Sequence, residues 1–270
     1  MSRRVPIGAL VAGIVLFTGC SFSGSTSDGP LTGGAALVVA GASDLRPVFE
    51  EIGDLFTEET GHQVIFDFGS SGQLAQRIIE GAPIDVFASA DVSYLDLVLA
   101  SGRGDADTRA TYALGRVTIW SRADSWGDWS ELGELVADPG VRFLAIANPE
   151  HAPYGGAARQ ALESSALWDA VEDRLVFGEN IADTRRLAET GDADAAIVAL
   201  SMAIDAGERG QWVLIDDGLH DPLEQALLVV TGDPARVGPA RAFAEFVNQP
   251  KGREVMLRYG FTAPGDRGGA

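Results

Sequence analysis

Apolar residues in this chain alternate between two rhythms. Short runs such as Leu37-Val38-Val39-Ala40, Val64-Ile65-Phe66-Asp67-Phe68 and Ile84-Asp85-Val86-Phe87-Ala88 have the length and β-branched content of buried strands. Each is followed by a few small residues and then by a pattern of period 3.6. The spacing predicts helices over about 45–60, 72–80 and 92–100. Pro47 falls in the first turn of the first helix, where a missing N–H costs little, and Gly61 ends it. Gly81-Ala82-Pro83 stops the second. Three β-loop-α units in a row imply an α/β protein with a parallel, doubly wound sheet and helices on both faces.

The rhythm continues less regularly. Strands are expected at Val117–Trp120, Phe143–Ala147, Leu175–Phe177, Asp194–Leu200 and Leu227–Val230. Helices are expected to run to about Ser165, over Arg185–Thr190 and, as the closing helix, over Pro239–Asn248, with Gly252–Tyr259 following it. Asp169–Asp173 reads as a solvated helix face, and Trp126 and Trp129 as pins for a loop.

Four strand-to-helix loops share one grammar of Gly, Ser, Thr, Pro and Asp: 41–44, 69–72, 152–156 and 182–184. Taken singly, Ser43, Ser71 or Thr184 before a helix is an N-cap, worth about 1 kcal/mol. Taken together, the loops lie where open α/β sheets gather ligands, beyond the carboxyl ends of the strands. Helix N-termini present unpaired N–H groups there and about half a positive charge each. Several aimed at one spot would hold an oxyanion without any lysine or arginine. Neutral donors of fixed placement also select by shape. They disfavour an anion that carries its own proton, because that proton would need an acceptor inside.

The first 19 residues change the picture of where the chain works. Arg3 and Arg4 precede an apolar run, Ile7–Phe17, that is too short to span a bilayer and fits an export signal. Leu16-Phe17-Thr18-Gly19-Cys20 resembles a bacterial lipobox, so residues 1–19 are expected to be removed and Cys20 to carry lipid. Residues 20–35 are then a Ser/Gly/Thr-rich tether of roughly 20 Å span. Anchoring to the outer face of the cytoplasmic membrane is the expected localisation. Cys20 is the only cysteine, so no disulfide can form within the chain.

Composition mostly excludes. With 46% hydrophobic and 22% charged residues, the body is an ordinary globular one. The net charge is −19; removing residues 1–19 takes away two arginines and no acid, giving −21. No basic patch stands out, which argues against nucleic acid as a partner. The histidines, His62, His151 and His220, have no zinc-site spacing, and no P-loop or Gly-x-Ser-x-Gly motif is present. An exported serine hydrolase built on Ser43 or Ser71 would lack a base placed by the sequence.

Five stretches, in order, carry a family resemblance. They are Ala40-Gly41-Ala42-Ser43-Asp44-Leu45, Phe68-Gly69-Ser70-Ser71-Gly72-Gln73-Leu74-Ala75, Gly81–Asp91, Asn148–Gly155 and Arg258-Tyr259-Gly260-Phe261. Over about residues 37–262 the chain resembles the periplasmic molybdate-binding proteins of bacterial ABC importers. The resemblance implies a two-lobed, type II clam-shell periplasmic-binding-protein fold, each lobe a mostly parallel sheet flanked by helices. It places lobe one at 36–115 plus 223–270 and lobe two at 116–222. It implies a monomer that binds molybdate, and tungstate with it, in the cleft and delivers it to a membrane permease. Molybdenum enters only as the oxyanion; no chemistry is performed and no cofactor is needed. Sulfate is the alternative ligand.

By the same resemblance Ser43 and Ser71 give hydroxyl and backbone donors, and Tyr154 and Thr184 give backbone N–H groups. Asp44 is a ligand neighbour. Where some members supply a tyrosine hydroxyl, this chain has Ala199. Tyr154 is the expected replacement for that hydroxyl, ahead of Ser201.

Overall fold

The structure, a computed structural model, describes residues 35–265. The expected signal segment, Cys20 and the tether as far as residue 34 lie outside the described residues. Among the described residues ten strands form two five-stranded sheets. The first sheet holds β1 (Leu37–Ala42), β2 (Val64–Gly69), β3 (Val86–Ser89), β4 (Ala110–Gly115) and β10 (Leu223–Val229), in the order β2-β1-β3-β10-β4. The second holds β5 (Val117–Arg122), β6 (Leu144–Ala147), β7 (Leu175–Gly178), β8 (Ala195–Ala199) and β9 (Gly210–Leu214), in the order β7-β6-β8-β5-β9. The chain passes to the second sheet through Arg116 alone and returns between Leu214 and Leu223.

Each sheet is mixed in the same way. β1, β2 and β3 pair parallel, and β10 lies antiparallel between β3 and β4. β6, β7 and β8 pair parallel, and β5 lies antiparallel between β8 and β9. In each sheet four strands therefore run one way, and the strand that has just crossed from the other lobe opposes them. The fold is the two-lobed α/β clam-shell.

The first sheet is buried on both faces, as continuous apolar strands require. Helices α1 (Arg46–Thr60), α9 (Pro234–Asn248) and α10 (Pro250–Arg258) cover one face. Val39, Val86 and Leu227 point to it, together with Phe49, Ile52 and Phe56 of α1 and Phe243 of α9. The Phe56 and Phe243 rings meet edge-on at 5.3 Å. Helices α2 (Ser71–Ile79) and α3 (Val92–Ala100) cover the other. There Ala40, Phe87 and Leu228 meet Leu74 and Ile78 of α2 and Leu95 and Val98 of α3. Adjacent strand residues thus serve opposite faces, and a one-residue slip would exchange them all. At roughly 1.5–3 kcal/mol per large buried side chain, that register is firmly held. It fixes where β1 and β2 end, and so where Ser43 and Ser71 sit.

In the second sheet Ala195, Ala196, Ile197, Val198 and Ala199 of β8 are all buried. Around it lie α4 (Leu132–Ala137), α5 (Pro153–Ser164), α6 (Trp168–Val171), α7 (Ile181–Thr190) and α8 (Leu200–Ala206). Trp126 and Trp129 do pin their segment: the rings lie 5.0 Å apart, and Trp129 Nε1 donates to Asp138 at 2.9 Å. Asp169, Glu172 and Asp173 are exposed, as their spacing predicts.

Several elements differ from the pattern reading. The apolar run Asp194–Leu200 ends as a strand at Ala199 and continues as α8. α7 begins at Ile181 rather than Arg185, because the Asn180 side chain accepts from the amides of Ala182 and Asp183. α9 begins at Pro234, capped by Asp233, so Pro239 lies inside the helix rather than at its start. The strands β4 and β9 had no counterpart in the expectations.

Candidate functional site

The first lobe brings two hydroxyls to the cleft. β1 ends at Ala42, and Ser43 opens a single 3-10 turn, Ser43–Leu45, that leads into α1. β2 ends at Gly69; Ser70 is the extended cap of α2, and Ser71 is its first helical residue. Neither Ser43 nor Ser71 caps its helix with its side chain. The Ser71 hydroxyl accepts from the Ala90 amide, at 3.1 Å, which leaves its own hydrogen free to donate. Its N–H is in the first turn, where no intrahelical acceptor exists. The Ser43 hydroxyl reaches across to the second lobe. It donates to Asn180 Oδ1 at 3.1 Å and accepts from the Ala182 amide at 3.4 Å.

The second lobe brings backbone. Pro153 and Tyr154 open α5, and the amides of Gly155 and Gly156 both turn to the Ala152 carbonyl, at 2.9 and 3.0 Å. The Tyr154 N–H, one residue earlier, lies outside that pattern. In α7 the Thr184 amide donates to the Asn180 carbonyl, at 2.9 Å, and its hydroxyl bonds the same oxygen. Thr184 is therefore inside the helix with its donors engaged. The residue of α7 on the pocket wall is Ile181, whose N–H at the first helical position has no intrahelical acceptor.

Ser43, Asp44, Ser71, Tyr154 and Ile181 meet around a pocket with about 10 Å³ of water-accessible space, room for about one water. Thr184, Ala199 and Ser201 are not part of its wall. Ala199 is buried at the end of β8 and carries only a methyl group. The Ser201 hydroxyl donates to the Asp44 carbonyl, at 2.8 Å. The Tyr154 hydroxyl accepts from Gln225 Nε2, at 3.4 Å, and faces the Asp44 carboxyl inside the first lobe. Neither hydroxyl stands free at the pocket in place of the one missing at Ala199.

No lysine, arginine or histidine lines the pocket. Positive potential comes from the N-termini of α2, α5 and α7. A wider groove lies on the outer side of the first lobe, lined by Arg109, Arg241 and Arg253. It is open to solvent, and Arg109 and Arg241 there pair with Asp96 and Asp105.

The lobes also touch beside the pocket. The Gly72 amide donates to the His151 carbonyl, at 2.9 Å, and Ser70 Oγ lies 2.9 Å from His151 Nδ1. A Cβ on Gly72 would come within 2.9 Å of that carbonyl, so only glycine allows this approach. The sequence had placed no base near a serine. The fold places His151 beside Ser70, not beside Ser43 or Ser71.

Asp44 is the one carboxylate on the pocket wall, and it is fully buried. Burial pushes its carboxyl up to about 7; the Tyr154 hydroxyl and the Gln225 amide facing it pull the other way. Oδ2 accepts from Gln225 Nε2 at 2.8 Å, and Oδ1 has no hydrogen-bond partner. The Tyr154 phenol is raised well above its ordinary range by burial, then by the charge of Asp44.

Two α/β lobes that close on a pocket rimmed by helix N-termini, with the chain crossing between them twice, define a solute binder. The chain belongs to the bacterial extracellular solute-binding protein family, whose pattern it matches over residues 37–262. Within that family it is similar to the molybdate-binding protein ModA of Rhodobacter capsulatus, with 34% identity covering 86% of this chain and 90% of that protein. The solved structure of the periplasmic molybdate-binding protein of Azotobacter vinelandii superposes with a TM-score of 0.78 at 28% identity, covering 84% of this chain and 99% of that one. The sulfate-binding protein SubI of Mycobacterium tuberculosis shares the fold, with a TM-score of 0.73 at 18% identity over 85% of this chain and 87% of that one.

Proposed function

We propose that this protein captures molybdate, and tungstate with it, outside the cytoplasmic membrane and hands it to the permease of an ABC importer. The observation that carries the reading is the ring of neutral donors. Ser71 supplies a hydroxyl whose hydrogen is free, Ser43 a hydroxyl that must turn from Asn180 Oδ1 to the anion, and Ser71, Tyr154 and Ile181 supply amides, with no cation on the pocket wall. Such a ring suits a fully ionised tetrahedral oxyanion, which needs donors on every side and offers none itself. Ile181 takes the role first expected of Thr184, whose amide is engaged within α7. The molybdate-binding relatives support the choice among oxyanions.

The lobes that close on the anion are residues 36–115 with 223–270, and 116–222. This division is supported by the strand membership of the two sheets. The protein acts as a monomer held to the membrane by lipid on Cys20, a reading supported by the lipobox-like Leu16–Cys20. It catalyses no reaction. The Ser70–His151 contact is a clasp between lobes. Among the described residues no acid bonds the ring's other nitrogen, as a catalytic triad would require.

Isothermal titration of the purified protein with molybdate, tungstate, sulfate and phosphate tests the reading. One-to-one binding of the first two and no heat from phosphate is the expected result. Sulfate binding as tight as molybdate would assign the site to a broader anion class, and silence from all four would remove the function.

A further inference from the structure

Tyr154 faces two ways. Its backbone lies in the first turn of α5 at the pocket wall, while its side chain runs to the place where the chain crosses between lobes. Both crossings meet there, because Gly115, the last residue of β4, pairs with Leu223, the first of β10. The phenol oxygen is so close to Gly115 that a Cβ there would lie 2.2 Å from it and 3.1 Å from Cζ. Gly115 has no positive φ, so its backbone does not demand glycine. What demands glycine is first the phenol oxygen from the other lobe, with Gln225 Nε2 next at 3.0 Å.

The slot is polar and fully buried. Gln225 donates from Nε2 to Tyr154 Oη at 3.4 Å and to Asp44 Oδ2 at 2.8 Å, and its Oε1 accepts from Tyr112 Oη at 3.3 Å. Gln225, Asp44 and Tyr112 all belong to the first lobe, and Tyr154 is the member supplied by the second. A phenol withdrawn from this slot would leave Gln225 short of a partner and admit water to Asp44.

We propose that Tyr154 is a positioning residue that couples anion capture to lobe closure, its amide meeting the anion while its phenol docks in the Gly115–Gln225 slot. The coupling rests on the solute-capture reading. An anion bonded to the Tyr154 amide holds the start of α5 in the one place from which the phenol reaches the slot. Closure then adds the slot's contacts to the anion's own, and the closed population rises with both.

The test is a cycle of Gly115→Ala, Tyr154→Phe and the double variant. Each is titrated with molybdate and measured by solution X-ray scattering with and without it, and circular dichroism verifies that each has folded. Gly115→Ala is expected to weaken molybdate binding about tenfold or more and to enlarge the radius of gyration, because the methyl displaces the phenol oxygen. Tyr154→Phe keeps the amide and loses a few-fold. In the Phe background Gly115→Ala should cost clearly less, since the atom at 2.2 Å is gone and only Gln225 Nε2 at 3.0 Å and Cζ at 3.1 Å must give way slightly.

Equal losses from Gly115→Ala in both backgrounds would overturn the coupling, as would a Gly115→Ala protein that binds and closes like the parent. Failure of the parent itself to bind molybdate would sink the capture reading separately. The ligand-free scattering cycle would still decide whether the phenol holds the lobes together.

Discussion

The two lobes share one plan and contribute to the pocket by different chemistry. Their sheets have the same strand order, with β6, β7, β8, β5 and β9 standing where β1, β2, β3, β10 and β4 stand. In both, the loops after the two neighbouring parallel strands supply the pocket wall. After β1 and β2 the contributors are serine hydroxyls, Ser43 and Ser71, with backbone beside them. After β6 and β7 they are the starts of α5 and α7, at Tyr154 and Ile181, whose backbone N–H groups are the proposed donors. On the proposed reading, the same topology builds half of the anion cage from residue type and half from chain geometry. Side-chain changes should then weaken the first half, while in the second half, the docked phenol of Tyr154 apart, only loss of an N–H should weaken binding.

The largest effect is expected from Ser71→Ala, at about 3 kcal/mol in molybdate affinity. It removes a donor to a charged ligand; the buried Ala90 amide also loses its acceptor, a cost to fold stability rather than to affinity. Calorimetry would measure the loss, and an unchanged affinity would take Ser71 out of the cage. Next is Ile181→Pro, which deletes the amide at a helix position that accepts proline. A loss of about 2 kcal/mol is expected relative to Ile181→Ala, which trims the same side chain and keeps the N–H. Equal affinities of the two would show that lobe two does not bind through this backbone.

A third prediction concerns pH and Asp44. Below the ordinary carboxylate range the group is neutral in folded and unfolded chains alike, and burial costs nothing. As pH rises towards about 7 the unfolded chain ionises while the buried carboxyl keeps its proton. The folded state should lose about 1.4 kcal/mol per pH unit over that window relative to Asp44→Asn, and the difference should level off above it. Urea titrations of both proteins between pH 5 and 8 would show it; parallel curves would mean that Asp44 is better solvated than its surroundings allow. The smallest effect is expected from Thr184→Val, under about 0.5 kcal/mol in affinity, because the Thr184 hydroxyl and amide already bond Asn180. A tenfold loss would return Thr184 to the site.

The same contrast explains what could be read from the sequence. β1 to α3 is a local repeat in which each strand is followed by its own helix, so period and punctuation were enough. β4 and β9 are edge strands, and neither Ala110–Gly115 nor Gly210–Leu214 alternates cleanly. α8 continues the apolar run of β8, and a short apolar segment has no period that tells strand from helix. That Ser43 and Ser71 line the pocket was legible because a hydroxyl before a helix is a residue-type signal. A backbone amide has none, and the Thr184 role rests on the resemblance, while the structure puts Ile181 on the pocket wall. One signal was available: Asn180 is a preferred N-cap residue, and reading it as one would have started α7 at Ile181. The Asp44–Gln225–Tyr154 slot joins residues far apart in the chain, and nothing local announces it.

The most direct measurement is a crystal structure of the protein with molybdate bound. The account predicts one anion between the lobes, within hydrogen-bond distance of the Ser43 and Ser71 hydroxyls and of the Tyr154 and Ile181 amides, with no cationic side chain in contact. An anion held by arginine or lysine, or lodged away from these four residues, would contradict it.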